Sequence, residues 1–310
     1  MKILVLGAGA IGGYFGGRLA ESGADVTFLV RPKRREQIAR DGLVIDSPIG
    51  NARIAATTIL AEDLKPGYDL ALFTCKAYDL DSAMDAIAPA MRDGCAVLPL
   101  LNGLAHLDRL DARFGAANVI GGTCQINAGL AADGTVKHME PLNRIVFGEP
   151  DGAKSARTQG FADALARSTI DWTWSEDILQ DLWEKLIFLS ALAATTCLFR
   201  GNVGEVMAAP DGRAIVTRCF EANVAIATAE GRAPRAKMLA WALDRLTRPG
   251  PQSASMLRDM EAGKPVESDH IVGYMLALAR KHGIDDAVLA YAHTHLKTYE
   301  ARRAANRLPR

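Results

Sequence analysis

Glycine occupies the first, third and sixth places of Gly7-Ala8-Gly9-Ala10-Ile11-Gly12, directly after the apolar run Ile3-Leu4-Val5-Leu6 and at the head of a helical stretch. In that setting each glycine has its own task. The first permits a tight turn, the second lets a pyrophosphate approach the backbone, and the third lets helix and strand pack closely. The helix N-terminus adds N–H donors and a positive dipole end. Gly7, Gly9 and Gly12 are therefore expected to bind a dinucleotide, and Gly13, Gly16 and Gly17 to serve packing. The end of the second strand selects the dinucleotide, because an acid there would bond the 2′-hydroxyl of NAD and repel a 2′-phosphate. Here the run is Phe28-Leu29-Val30-Arg31-Pro32-Lys33-Arg34-Arg35, with no acid before Glu36. Arg31 is placed to hold a phosphate with its planar fork, and Lys76, past the strand ending at Thr74, to reach the same group. The expected cofactor is NADP(H) rather than NAD(H), with Arg34 and Arg35 read as solvated helix charges.

The remaining reactive side chains offer no rival site. His293 and His295 stand two apart and face different sides of a helix, while His106, His138, His270 and His282 lack partners at metal-ligand spacing. No metal site and no Ser–His–Asp set is expected. Cys75, Cys95, Cys124, Cys197 and Cys219 are odd in number and show no CxxC spacing, as free thiols in a reducing cytoplasm would. Lys plus Arg and Asp plus Glu number 36 each, so the net charge of zero gives no general affinity for nucleic acid or an acidic membrane surface. Arg302, Arg303, Arg307 and Arg310 read as a solvated tail.

These residues need a scaffold, and the apolar pattern supplies one in two parts. Residues 1–175 alternate strand and helix patterns, with buried strands at Lys2–Leu6, Val26–Val30, Asp69–Thr74 and Ala96–Leu101 and a helix over Asp81–Met91. Leu43–Ile45 and Ala52–Ala56 suggest an edge pair. Val119–Ile126, Gly134–His138 and Arg144–Phe147 suggest three antiparallel strands, and Ile170–Trp174 a last one. The expected fold class is α/β, a Rossmann-type doubly wound sheet with an antiparallel extension. Residues 176–310 carry helical patterns only, at Asp177–Leu198, Gly212–Glu230, Arg235–Leu246, His270–His282 and Asp285–Arg302, so an all-α domain should follow. The apolar segment Leu186–Phe199 is shorter than a bilayer requires and is read as a buried helix. The N-terminal apolar stretch is read as a strand, not a signal sequence. An apolar face of the helical domain would suit a homodimer.

Beyond the glycine turn, ordered blocks resemble the ketopantoate reductase (2-dehydropantoate 2-reductase) family along nearly the whole chain. They are Cys75-Lys76-Ala77, Leu101-Asn102-Gly103, Leu182-Trp183-Glu184-Lys185-Leu186, Val203-Gly204-Glu205, Ser255-Met256-Leu257-Arg258-Asp259 and Glu267-Ser268-Asp269. The resemblance implies NADPH-dependent reduction of a small 2-oxo acid. It implies Lys185 as general acid, Glu267 as its catalytic partner, and Ser255 and Asn102 as substrate contacts, Asn102 also touching the cofactor.

The chemistry asks for such groups independently. Hydride delivery to a carbonyl carbon builds negative charge on oxygen, which a donor must stabilise and then protonate. Lys185 sits where an amphipathic helix becomes almost wholly apolar, and partial desolvation makes an ammonium a better acid. The family places asparagines one and two turns beyond this lysine. Leu189 and Ala193 stand there instead, on the lysine's own face, while Ser190 is rotated off it by roughly 100°. The expected pocket is therefore less polar than the family's. Two alternatives to 2-dehydropantoate reduction remain open: a reductase of a more apolar 2-oxo acid or ketone, and a non-catalytic NADPH-binding regulator.

Overall fold

Strand β1 (Lys2–Leu6) is buried on both faces, which is why its sequence is apolar without alternation. The computed structural model describes residues 1–308, so Arg310 lies outside the described residues. The chain divides into two compact units, the first formed by Met1–Leu101 with His106–Leu179, the second by Asn102–Ala105 with the chain from Gln180 on.

In the first unit β1 leads through helix α1 (Ala10–Glu21) to β2 (Asp25–Leu29), helix α2 (Pro32–Asp41), and short strands β3 (Leu43–Asp46), β4 (Ala52–Ile54) and β5 (Thr57–Ile59). Strand β6 (Leu70–Phe73), α3 (Leu80–Ile87), β7 (Ala96–Pro99) and α4 (Ala105–Phe114) follow. A parallel sheet has the order β5-β2-β1-β6-β7. Because β2 lies on one side of β1 and β6 on the other, strand order reverses at the carboxyl end of β1, where doubly wound sheets open a ligand crevice. The glycine turn begins there.

The expected antiparallel extension is instead a separate second sheet. Strand β8 (Gly121–Leu130) pairs antiparallel with β9 (Val136–Gly148), and after α5 (Ala156–Leu165) comes β10 (Asp171–Trp174). One edge of β9 carries β8, and the other is shared by β3 at its start and β10 at its end, both parallel to it. The segments expected as two strands, Gly134–His138 and Arg144–Phe147, are thus one strand. Pro141 is tolerated because the register jumps from Ala128↔His138 to Ile126↔Asn143, leaving it in a bulge where no ladder N–H is needed.

Helix α1 packs on both sheets, and its four glycines divide accordingly. A Cβ on Gly16 would press Phe28 and Val5 of the first sheet, whereas one on Gly13 or Gly17 would press Val136 or Ile45 of the second. Two offset glycine pairs, four residues apart, thus line two faces of one helix.

The second unit is helical. It holds α6 (Ile178–Phe199), α7 (Val203–Ala208), α8 (Gly212–Ala229), α9 (Ala236–Thr247), α10 (Ser255–Glu261), α11 (Tyr274–His282) and α12 (Ala287–Ala304). Helix α6 corrects the length argument: it has 22 residues and is long and apolar enough to cross a membrane, and burial of most of it marks it as a core helix. The expected helix from His270 is also interrupted, since Asp269–Gly273 forms a π turn before α11.

Candidate active site

The glycine turn fits a pyrophosphate. Gly7 adopts φ +89°, available to glycine at no steric cost, and its N–H bonds Leu29 O at 2.9 Å, tying the turn to the end of β2. A Cβ on Gly12 would collide with Gly7 O and Thr74 Oγ1, so only glycine lets α1 come this close. A Cβ on Gly9 would meet nothing within 4 Å, leaving open space where a phosphate must approach. Gly9 caps α1 without a side-chain bond and no acid stands in the first turn, so the N–H groups and dipole end have no anionic competitor.

Arg31 caps α2 with its side chain 82% exposed, and its Nη2 lies 3.6 Å from Asp79 Oδ1. Asp79 ends the 3₁₀ turn that Lys76 caps, its N–H bonding Lys76 O at 2.9 Å. The ends of β2 and β6 thus bring Arg31 and the Lys76 turn side by side. Arg35 reaches Asp63 at 3.8 Å on the surface. Arg34 is not the solvated charge expected. It is half-buried, with Nε donating to Ala8 O at 3.0 Å and Nη1 to Gly134 O at 2.8 Å and Gln37 Oε1 at 2.7 Å. Burial pulls its pKa below the usual arginine value.

In the second unit, α6 carries Lys185 half-buried, with Leu189 half-buried and Ala193 buried farther along the same face. Ser190 is fully buried and its Oγ has no hydrogen-bond partner among the described residues. Beside Lys185, Glu184 anchors the start of α9. Its Oε1 accepts from Arg235 N at 2.7 Å and Arg235 Nε at 2.8 Å, and its Oε2 from Arg235 Nη2 at 2.7 Å. Burial alone would raise the Glu184 carboxyl, but the bonds from Arg235 and Gln180 outweigh it and hold the pKa below the usual carboxylate value.

Two contacts relate α6 to the other expected site residues. Thr196 Oγ1 accepts from Ala254 N at 3.4 Å, just before Ser255. Ser255 is the exposed first residue of α10, with Ala254 as the cap. At the other end Trp183 packs on Tyr274, ring centroids 6.5 Å apart, where the segment from Glu267 enters α11. Glu267 is buried, and the residues after it are held by α12. His293 Nε2 and Lys297 Nζ lie 2.8 and 2.7 Å from the two Asp269 oxygens, and Ser268 Oγ donates to Glu300. This brace is not among the features expected from sequence, although His293, Lys297 and Glu300 share one helix face at i, i+4, i+7. Asn102 is half-buried, and Gly103 next to it packs on His270 of the π turn, joining the Asn102 turn to the Glu267 segment. Among the described residues no three His, Cys, Asp or Glu side chains gather as a metal would need.

The profile described as "Ketopantoate reductase PanE/ApbA" matches residues 3–152, and "Ketopantoate reductase PanE/ApbA C terminal" matches residues 177–300. An uncharacterized oxidoreductase, YkpB of Bacillus subtilis, is 34% identical over 97% of this chain and 99% of its own. A crystal structure of a PanE/ApbA family ketopantoate reductase from Ralstonia eutropha superposes with a TM-score of 0.89 at 25% identity, covering 98% of this chain and 100% of that one. A D-mandelate dehydrogenase, solved with NADH and anilino(oxo)acetate, shares the fold with a TM-score of 0.88 at 22% identity, covering 98% and 100%.

Proposed function

The chain belongs to the ketopantoate reductase family, oxidoreductases acting on a keto group, and on that premise we propose that it reduces 2-dehydropantoate to pantoate with NADPH. The observation that carries the cofactor reading is the open, uncapped glycine turn at the carboxyl end of β1, with Arg31 and the Lys76 turn at the neighbouring strand ends. When bound, the nicotinamide supplies the hydride.

The protein's own part is to place the carbonyl and deliver a proton. In this reading Lys185 hydrogen-bonds the carbonyl oxygen and protonates it as hydride reaches the carbon. Glu267 orients the ammonium, while Ser255 and Asn102 hold the substrate's polar groups. The free thiols suit a reducing cytoplasm. Burial pushes the Cys95, Cys197 and Cys219 thiols up to about 12, away from thiolate chemistry.

A second reading concerns substrate. Leu189 and Ala193 bring no hydrogen-bonding group to the lysine's face, and Ser190 is buried away from solvent. That composition favours a 2-oxo acid with a more apolar side chain. The D-mandelate dehydrogenase neighbour shows that fold likeness by itself does not separate substrates.

Oxidation of NADPH by the purified chain, followed over 2-dehydropantoate and a series of 2-oxo acids with growing apolar side chains, tests both readings. The highest kcat/KM on 2-dehydropantoate supports the first, and a preference for apolar side chains the second. Binding of NADPH with no turnover on any carbonyl overturns both in favour of a regulator.

A further inference from the structure

The mechanism above makes no use of the half-buried guanidinium of Arg34. Arg34 spans the glycine turn and a hairpin 100 residues away in sequence, bonding Ala8 O and Gly134 O with one guanidinium. Its partners are all neutral, so its charge is not cancelled, and its Nη2 is buried with no partner among the described residues. Gln37, one turn along α2, donates to Asp133 O of the same hairpin, and Gly134 at φ +84° leaves no room for a Cβ beside it.

Ala8 lies between Gly7 and Gly9. Rotation of the Ala8–Gly9 peptide changes ψ of Ala8 and φ of Gly9, and a glycine tolerates that rotation at little cost. The peptide is trans, so its C=O and N–H point opposite ways. With the carbonyl bonded to Arg34, the Gly9 N–H must face away from Arg34. If the peptide flipped, a carbonyl oxygen would take the place of that donor and would repel an anion.

We propose that Arg34 is a positioning residue for dinucleotide binding, which locks the Ala8–Gly9 peptide in its donor orientation while leaving the 2′-phosphate to other groups. The inference rests on the reading of Gly7–Gly12 as a dinucleotide cradle. It separates Arg34 from Arg31 by the kind of selectivity each confers. Loss of a phosphate contact falls on NADPH alone, whereas loss of the peptide lock falls on both dinucleotides alike.

Equilibrium binding of NADPH and of NADH to the full chain, measured by calorimetry, tests this on the wild type and on Arg34→Met, Arg34→Lys and Gln37→Leu. Arg34→Met is expected to weaken both dinucleotides by the same factor, about tenfold, as loss of one charge-assisted bond implies. Arg34→Lys keeps a donor for one carbonyl and should recover part of the loss. Should the methionine variant fail to fold, the lysine variant's equal loss on both dinucleotides is the expected sign. Gln37→Leu breaks the hairpin tie but spares the Ala8 bond, and should bind near the wild-type value. Unchanged binding in the Arg34 variants, a loss confined to NADPH, or an equal loss in Gln37→Leu each overturns the proposal. A wild type that binds neither dinucleotide overturns the cradle reading instead.

Discussion

A Cβ on Gly103 would stand 2.9 Å from both the ring Cδ2 and the carbonyl oxygen of His270, so the Asn102 turn and the π turn that follows Glu267 rest directly on each other. Gly103 also sits at φ +86°, where L side chains rarely go. Gly103→Ala should therefore cost about 1–3 kcal/mol of stability and lower kcat by displacing Asn102 from the Glu267 segment. Thermal melts and steady-state kinetics of the variant check this. Wild-type values in both would show that the contact positions nothing.

On the proposed mechanism Lys185 delivers the proton. Lys185→Ala should lower kcat by about 10²-fold or more, because the alkoxide loses its donor, while the Kd for NADPH stays nearly constant. Lys185→Arg keeps the charge but not a readily released proton, so it should recover little. Single-turnover kinetics would reveal an error in the assignment as near-normal chemistry in the alanine variant.

Arg31 is exposed and only loosely paired with Asp79, so freeing it for a ligand costs little. Arg31→Met should weaken NADPH by about 10–100-fold through loss of a charge-assisted phosphate bond and leave NADH little changed. Equal losses on the two cofactors would place the 2′-phosphate elsewhere.

The Glu184–Arg235 pair gives a pH signature. Glu184 is held below its ordinary value of 4.5, so the unfolded chain binds its proton first as pH falls. The pair's stabilisation is complete above the ordinary carboxylate range and disappears as pH drops through the folded-state value. Arg235→Met should cost about 2 kcal/mol at neutral pH, a figure discounted because Arg235 is half exposed. The gap between wild type and variant should narrow on acidification. Urea denaturation at a series of pH values measures it, and a gap constant with pH would mean the carboxylate is not the partner that matters.

What the sequence reveals about this molecule follows the range of the interactions. The glycine turn, the buried strands and the run of helices from α6 onward are written in neighbouring residues, as local periodicity and turn chemistry allow. Arg34 reads as a solvated charge from sequence because its partner Gly134 is supplied by a distant hairpin. From sequence the second sheet reads as an extension of the first because β9 changes partner along one edge and carries Pro141 in a bulge. Helices α4 and α5 are not among the helices expected from sequence, the latter although Ser155 and Thr158 form a capping box at its start. At the candidate site, Lys185 and Glu267 stand out by residue type and motif, whereas the brace from His293, Lys297 and Glu300 depends on how α12 packs.

The two glycine pairs of α1 also set an order of assembly. Each glycine costs a helix about 1 kcal/mol relative to alanine, so four of them cost about 4 kcal/mol before any packing is gained. Alone, such a segment has no reason to be helical. It becomes a helix when both walls exist, and one wall begins at Val136. Pulsed amide exchange during refolding should accordingly show protection in α1 no earlier than in β9. On the ribosome the nucleotide turn would then emerge well before it takes shape, waiting on a strand made more than a hundred residues later.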